Sequence, residues 1–322
     1  MTGAEDVRRL RVPADAAAFG PWQTAGRERL AELLAIADRR PDATLTVGDP
    51  GPGPRIRAAS FERRGTTVPC WLVRPPPDRD TGAGVVAVAG HGPGIDSLVD
   101  ADDAYHRGLA LKLADAGCTV LCPELRSFGR RRTSEAVAEG RASSSCQVDA
   151  TMGLLTGRPV LGDRVGDAMA AVSALARLPG VHPRRIAVLG GSGGGAVALL
   201  AAALDQRIAA AVVGTYFSSF AASICSVPHC ICNSVPGLLS WFEMTDLAAL
   251  VLPRPLILEA GEQDPIFPIA ATRTSHAELV GLCSGMGFPA PRLIVTDRGH
   301  EFEADEAIER LAAALGPIPY GS

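Results

Sequence analysis

The stretch 186–204, IAVLGGSGGGAVALLAAAL, limits what this chain can be more than any other part of it. A short apolar run of strand type leads into Gly190-Gly191-Ser192-Gly193-Gly194, and an Ala/Leu-rich helical run follows. Gly-x-Ser-x-Gly between a strand and a helix predicts a turn so sharp that the serine is held in a strained backbone conformation with its hydroxyl exposed. A Cβ two residues to either side of that serine would clash, so Gly190 and Gly194 suit those places. The N-terminus of the following helix brings partial positive charge to the reacting atoms and favours an oxyanion there. A flexible Gly/Ser loop would have the glycines but not the flanking strand and helix. A phosphate loop is disfavoured because no Gly-Lys-Ser/Thr follows, and no early strand carries the G-x-G-x-x-G of a dinucleotide fold.

The chain has 322 residues, of which 47% are hydrophobic and 20% charged, so a sizeable core is expected and global disorder is not. A formal charge of −4 leaves no electrostatic footprint for nucleic acid, and the run Arg126, Arg130, Arg131, Arg132 reads as a solvated loop. The N-terminal MTGAEDVRRLRVPADAAAFG has no apolar signal core, and no stretch is apolar enough to span a membrane. A cytoplasmic location without membrane contact is therefore expected. The 8 cysteines then read as reduced thiols rather than a disulfide framework.

Residues 26–40, GRERLAELLAIADRR, place Leu30, Leu33, Leu34 and Ala37 on one helical face, with Pro41 as the stop. GDPGPGP at 48–54 reads as a linker or turn cluster. These signals predict an N-terminal helical extension over 1–55 and a catalytic domain over 56–322. Two roles are open for the extension: a cover over the pocket, or a contact in a homodimer. Strand candidates are 57–63 and 67–73, a hairpin around Arg64-Gly65, then 85–89, 119–122, 186–189, 210–213, 256–259 and 293–296. The later strands alternate with helical segments at 104–116, 164–177, 196–204, 272–285 and 305–315. That alternation predicts an α/β fold with a mainly parallel sheet and helices on both faces. With the antiparallel hairpin it matches the eight-stranded α/β-hydrolase plan. Two connections, 123–162 and 215–250, are long enough to be lid-like insertions. The second carries Phe217, Phe220, Trp241, Phe242 and Met244 and is expected to pack over something.

A serine hydroxyl is a weak nucleophile that needs a base, and the base needs an orienting acid. In α/β-hydrolases the acid and then the histidine follow the serine along the chain. His300, in Asp297-Arg298-Gly299-His300-Glu301-Phe302, lies just past the last strand candidate, where the base belongs; His276 falls inside a helical pattern and fits poorly. The acid should follow the preceding strand. There Asp264, before Pro265-Ile266-Phe267-Pro268, is the best choice, with Glu262 close behind and Glu259 at the strand end. One oxyanion N–H is expected from Gly193 and the other from the loop Gly90-His91-Gly92-Pro93-Gly94 after strand 85–89. Pro93 has no N–H, so His91 is the expected donor, with Gly92 allowing close approach. Gly92, Tyr216, Phe217 and Trp241 are candidate substrate contacts. Cys225, His229, Cys230 and Cys232 invite a zinc reading, but C-x4-C-x-C lacks paired C-x-x-C knuckles; buried thiols under the lid are the expectation, with no metal and no cofactor.

The runs 226–239, 243–250 and 253–256, together with PELRSFG at 123–129, RVGD at 164–167 and EQDPIFP at 262–268, resemble the acetylxylan-esterase-like and dienelactone-hydrolase-like branch of α/β-hydrolases. The resemblance covers roughly residues 84 to 303 and implies Ser192, Asp264 and His300 as the triad. Members often carry His-Gly-His-Gly after the strand, whereas this chain has Ala89-Gly90-His91-Gly92, which keeps the backbone donor but loses a side chain at the pocket entrance. The resemblance implies a serine hydrolase cleaving a carboxylic ester of a small-molecule substrate, of the small-acyl esterase or deacetylase type. A thioesterase, lactonase, amidase or acyltransferase of secondary metabolism would use the same triad. A non-catalytic binding module on the same fold is the remaining alternative, and retention of all three triad residues in order weighs against it.

Overall fold

The computed structural model describes residues 9–138 and 144–316. All eight segments expected as strands are strands: β2 (Ile56–Arg63), β3 (Thr66–Val73), β4 (Ala83–Val88), β5 (Cys118–Pro123), β6 (Ile186–Gly191), β7 (Ala210–Gly214), β8 (Leu256–Gly261) and β9 (Arg292–Thr296). The sheet nevertheless has nine strands, because β1 (Thr46–Pro50) adds to its edge in the order β1-β2-β3-β5-β4-β6-β7-β8-β9. The sequence hides β1 for a physical reason. Every residue of β1 is exposed, so it has no buried face to impose an apolar alternation, and its Gly48 and Pro50 read as a turn. It pairs antiparallel with β2 across a register shift, and the Arg57 guanidinium donates to the Gly48 carbonyl at 3.1 Å.

From β5 through β9 the pairing is parallel. Strands β4 to β8 are buried at every position. Continuous apolar runs such as AGVVAV and IAVLGG, without alternation, are what a sheet covered on both faces requires. One cover comprises α3 (Leu109–Asp115) and α10 (Asp305–Leu315) against Val85, Ala87, Ala187, Leu189 and Val212. The other comprises α1 (Ala16–Leu33), α6 (Val160–Ala176), α7 (Gly193–Leu204), α8 (Met244–Ala249) and α9 (Ile269–Met286) against Val86, Val88, Val188, Ala211 and Val213. Three short helices complete the described set: α2 (Asp96–Val99), α4 (Ser134–Ala138) and α5 (Cys146–Leu155). Among the described residues, no helix is long and apolar enough to cross a membrane.

The N-terminal helix lies about ten residues earlier than its sequence pattern suggests. Asp15 caps it by accepting from the Ala17 N–H at 2.9 Å, and it runs through Pro21. Its end is a Schellman motif: Ala35 takes φ 53°, its N–H reaches the Glu32 carbonyl, and the Ile36 N–H returns to the Ala31 carbonyl at 2.8 Å. Such an end is normally signalled by glycine; with alanine there, Pro41 was the only visible stop. Two buried polar side chains of α1 satisfy the carbonyls that close α7 and α8. Arg27 donates to Ala203 at 3.0 Å and Leu250 at 2.8 Å, and Gln23 to Ala249 at 3.0 Å and Leu252 at 2.7 Å. Helix α1 thus braces the end of α7 opposite Ser192, roughly 18 Å away at 1.5 Å per residue, and does not cover a pocket at the serine. Replacing Arg27 by Ala strips these carbonyls of a buried donor and should cost about 1–3 kcal/mol, read as a lower urea midpoint; an unchanged midpoint would show that α1 is not a brace.

Candidate active site

Ser192 sits between β6 and α7 at φ 53° and ψ −123°, a backbone conformation costing a non-glycine residue of order 1–3 kcal/mol. The two flanking glycines permit it. A Cβ on Gly190 would fall 2.4 Å from the Gly194 carbonyl oxygen, and one on Gly194 would fall 2.4 Å from that of Val88. The Ser192 N–H is tied to the Gly214 carbonyl of β7 at 2.9 Å. His300, in the loop after β9, puts Nε2 2.9 Å from Ser192 Oγ. Its Nδ1 lies 2.8 Å from Asp264 Oδ2, in the loop after β8. The other carboxylate oxygen of Asp264 accepts from the Ile266 and Phe267 N–H groups at 2.8 and 3.0 Å, which fixes the buried carboxylate in one orientation. The serine hydroxyl can therefore donate to a neutral imidazole whose opposite N–H is held by a carboxylate. Of the other acids weighed for this place, Glu262 pairs with Arg273 at 2.6 Å on the surface, and Glu259 turns to a different task.

Gly193 and His91 meet beside the serine: a Cβ on Gly193 would sit 3.5 Å from the His91 backbone nitrogen. As the first residue of α7, Gly193 has an N–H with no partner within its helix. The His91 loop is held from beneath by groups that no motif announced. His106 Nε2 accepts the Gly90 N–H at 3.0 Å while Nδ1 faces Asp103 at 3.2 Å. Burial holds the His106 pKa below its ordinary value, which keeps the neutral imidazole that can accept. Glu124, fully buried, accepts from the Ile95 N–H at 3.1 Å and the Arg130 N–H at 3.2 Å, binding the His91 loop to the loop after β5. It also excludes any side chain at Gly94 (φ 99°), where a Cβ would come 2.3 Å from its carboxylate. Tyr105 contacts Thr215 through its hydroxyl at 2.5 Å and lies with its ring 5.8 Å from that of His300.

A cleft of about 380 Å³ opens over Ser192, His300 and the His91–Gly193 pair. Tyr216, Ile266, Phe267 and residues 227–230 of the second insertion wall it. The Phe267 ring stacks on His300 at 5.7 Å and 21°. Of the expected substrate contacts, Tyr216 lines this cleft and three others do not. Phe217 is buried in the core, its carbonyl accepting from Thr272. Trp241 lies under the guanidinium groups of Arg29 and Arg9, where the second insertion meets the N-terminal segment. Gly92 has open space around it and is not part of the wall. Aromatic content alone could not separate residues that wall the cleft from those that anchor the insertion beneath it.

The cysteines group differently from their order in the sequence. Cys225 is exposed, and His229 turns to the cleft, 5.6 Å from the Phe267 ring, with its Nε2 buried and unpartnered among the described residues. Cys230 and Cys232 instead meet Cys146, from the start of α5, and the His91 imidazole. Cys146 Sγ is 3.3 Å from His91 Nε2 and receives a hydrogen bond from Arg164 Nη2 at 3.0 Å. Contacts from Cys230 and Cys232, then from His91 and Arg164, hold the Cys146 thiol far below its ordinary pKa, and the contact with Cys146 raises that of His91 to about 9.

A sequence model of the acetyl xylan esterase (AXE1) family matches residues 64–227. A protein of Bacillus subtilis (strain 168), YtaP, described as a candidate hydrolase, is 27% identical over 205 residues. That match covers 60% of this chain and 62% of YtaP, so the chain spans less than two thirds of this relative. Among solved structures, a candidate acetyl xylan esterase from Bacteroides fragilis NCTC 9343 superposes with a TM-score of 0.72 at 17% identity, over 90% of this chain and 79% of that one. The glucuronoyl esterase from Solibacter usitatus superposes with 0.67 at 14% identity, over 98% of each chain. The acetyl xylan esterase from Paenibacillus sp. R4 superposes with 0.60 at 19% identity, over 92% of this chain and 94% of that one. At these identities the solved structures establish the α/β-hydrolase fold.

Glu259, buried at the end of β8, accepts from the Glu303 N–H at 2.8 Å and the Ala304 N–H at 3.2 Å, and so anchors the far side of the His300 loop. Burial outweighs these bonds and raises its pKa from 4.5 to about 7. The folded chain therefore holds this proton more tightly than the unfolded chain does. The stabilisation is complete below the unfolded value and is lost as pH rises through the folded one, an effect on the order of 3 kcal/mol. Melting temperatures of the native protein should fall between about pH 5 and pH 8, and Glu259→Gln should remove that part of the fall. A difference in melting temperature between the two that stays constant with pH would contradict this placement of the proton.

Proposed function

The chain belongs to the acetyl xylan esterase (AXE1) family, and on that footing we propose that it is a serine hydrolase that cleaves a carboxylic ester carrying a small acyl group. The observation that carries this reading is the continuous hydrogen-bond chain from Ser192 through His300 to Asp264, at 2.9 and 2.8 Å, starting from a serine at φ 53°. In the reaction His300 Nε2 takes the Ser192 proton as Oγ bonds to the acyl carbon. The carbonyl oxygen becomes an oxyanion and is met by the N–H groups of His91 and Gly193. The bond to the alcohol oxygen breaks as the imidazolium returns the proton to it. Water, deprotonated by His300, then attacks the acyl-enzyme and releases the acid, leaving Ser192 as it began. Asp264 holds the imidazole in the required tautomer and stabilises its charged form.

The walls of the cleft favour a small acyl group. Tyr216 and Phe267 stand 5.4 Å apart, and His229 joins Phe267 over a space of about 380 Å³. The unpartnered Nε2 of His229 is suited to a polar group of the substrate. A cytoplasmic location is supported by eight cysteines with no disulfide among them, six of them in or near the core.

Hydrolysis of p-nitrophenyl acetate, butyrate and octanoate tests both parts of this reading. The rate should fall steeply from acetate to octanoate. Ser192→Ala should lose at least about 10³-fold in kcat. Octanoate cleaved as fast as acetate would refute the small acyl site, and a Ser192→Ala variant as active as the native protein would refute the nucleophile.

A further inference from the structure

We propose that His91, Cys146, Cys230 and Cys232 form a four-ligand zinc site that ties both insertions to the loop after β4. Their ligand atoms, three Sγ and one imidazole nitrogen, all lie within 4.8 Å of one another. A tetrahedral zinc with Zn–S near 2.3 Å and Zn–N near 2.0 Å needs S···S edges of about 3.8 Å and N···S edges of about 3.5 Å. The separation of 3.3 Å between His91 Nε2 and Cys146 Sγ is already that of such an edge. Three thiolates and one imidazole are the donor set that selects zinc over magnesium or calcium.

The surroundings suit the charge. Zinc with three thiolates carries a net charge of −1, and Arg164, almost wholly buried, donates to Cys146 Sγ at 3.0 Å. Arg164 is itself fixed by the Arg126 carbonyl at 3.0 Å and lies 4.2 Å over the Phe128 ring. A buried guanidinium aimed at a sulfur has little reason to be there unless that sulfur bears negative charge. None of the eight cysteines is in a disulfide, and a disulfide within the cluster would use two of its thiols and strand the third beside Arg164 and His91.

With four protein ligands the coordination is closed, so the ion would act by holding chain segments together and not as a Lewis acid. It would join the His91 loop, the first turn of α5 and residues 230–232. Spacing concealed the site, because only Cys230 and Cys232 are near each other in sequence, and Cys225 and His229, their apparent companions, lie outside it. The site does not rest on the esterase reading; only its consequence for the His91 N–H does.

The test is metal content and zinc titration of the full chain, purified with its thiols reduced, with zinc chloride as the probe. The native protein and Cys225→Ser should each bind one zinc ion. Cys230→Ser removes a half-buried ligand with little loss of packing. It should weaken zinc binding by more than the roughly 10–100-fold that loss of an outer partner costs, and circular dichroism shows whether it stays folded. Cobalt substituted for zinc should give the intense visible bands of a tetrahedral thiolate site in the native protein and in Cys225→Ser, and not in Cys230→Ser. A folded, reduced native protein that takes up neither metal would overturn the proposal. So would equal zinc affinity in Cys230→Ser, or a disulfide within the cluster after purification under reducing conditions. Esterase activity is scored separately, so that failure of either reading leaves the other standing.

Discussion

Where β6 passes into α7, a Cβ on Gly190 would be 2.4 Å from the Gly194 carbonyl oxygen and one on Gly194 2.4 Å from that of Val88, so the turn closes only with glycine at both places. That close packing holds Ser192 at φ 53°, and the rest of the molecule is arranged to sustain it. Strands β4 and β7 flank β6 and supply the Val88 carbonyl that Gly194 must clear and the Gly214 carbonyl that receives the Ser192 N–H. The strain is affordable because β6 is buried along its whole length and α7 is apolar on nearly every face. A turn of this kind on an exposed hairpin would relax into a looser one.

Around this fixed point, loops are positioned by buried polar groups more than by apolar packing. Asp264 holds its own loop with one oxygen and His300 with the other. Glu259 holds the far side of the His300 loop, and Glu124 and His106 hold the loop that carries His91. Each of these groups is costly to bury, and each meets backbone N–H groups that would otherwise be unsatisfied. Loops at the carboxyl ends of the parallel strands are thus tied down by buried side chains that accept their backbone N–H groups.

What the sequence makes legible follows from what is local. The five strands buried along their length, β4 to β8, announce themselves as short apolar runs, and the elbow as glycines between a strand and a helix. Ser192, Asp264 and His300 can be found because each follows a recognisable strand. Strand β1 is not legible, since an edge strand with every residue exposed needs no apolar pattern. The end of α1 is misplaced because Ala35 occupies a position that glycine usually marks. Apart from the His106–Asp103 and Glu124–Arg130 contacts, Tyr105, His106, Glu124 and Arg164 act through partners 15 or more residues away, and no spacing rule links such pairs. The cysteine cluster illustrates this most clearly: Cys230 and Cys232 come from one short run, Cys146 from the start of α5 and His91 from the loop after β4.

The central claim is that Ser192 is an activated nucleophile, and the most direct measurement is its reaction with a fluorophosphonate, followed by intact mass and peptide mapping. The reagent phosphonylates a serine only where a base removes its proton and N–H donors receive the developing charge, so it reports on the constellation without needing the natural substrate. A single adduct on the peptide containing Ser192, absent from a folded Ser192→Ala variant, is the predicted result. No adduct on the folded native protein, or an adduct that persists in Ser192→Ala, would contradict the account.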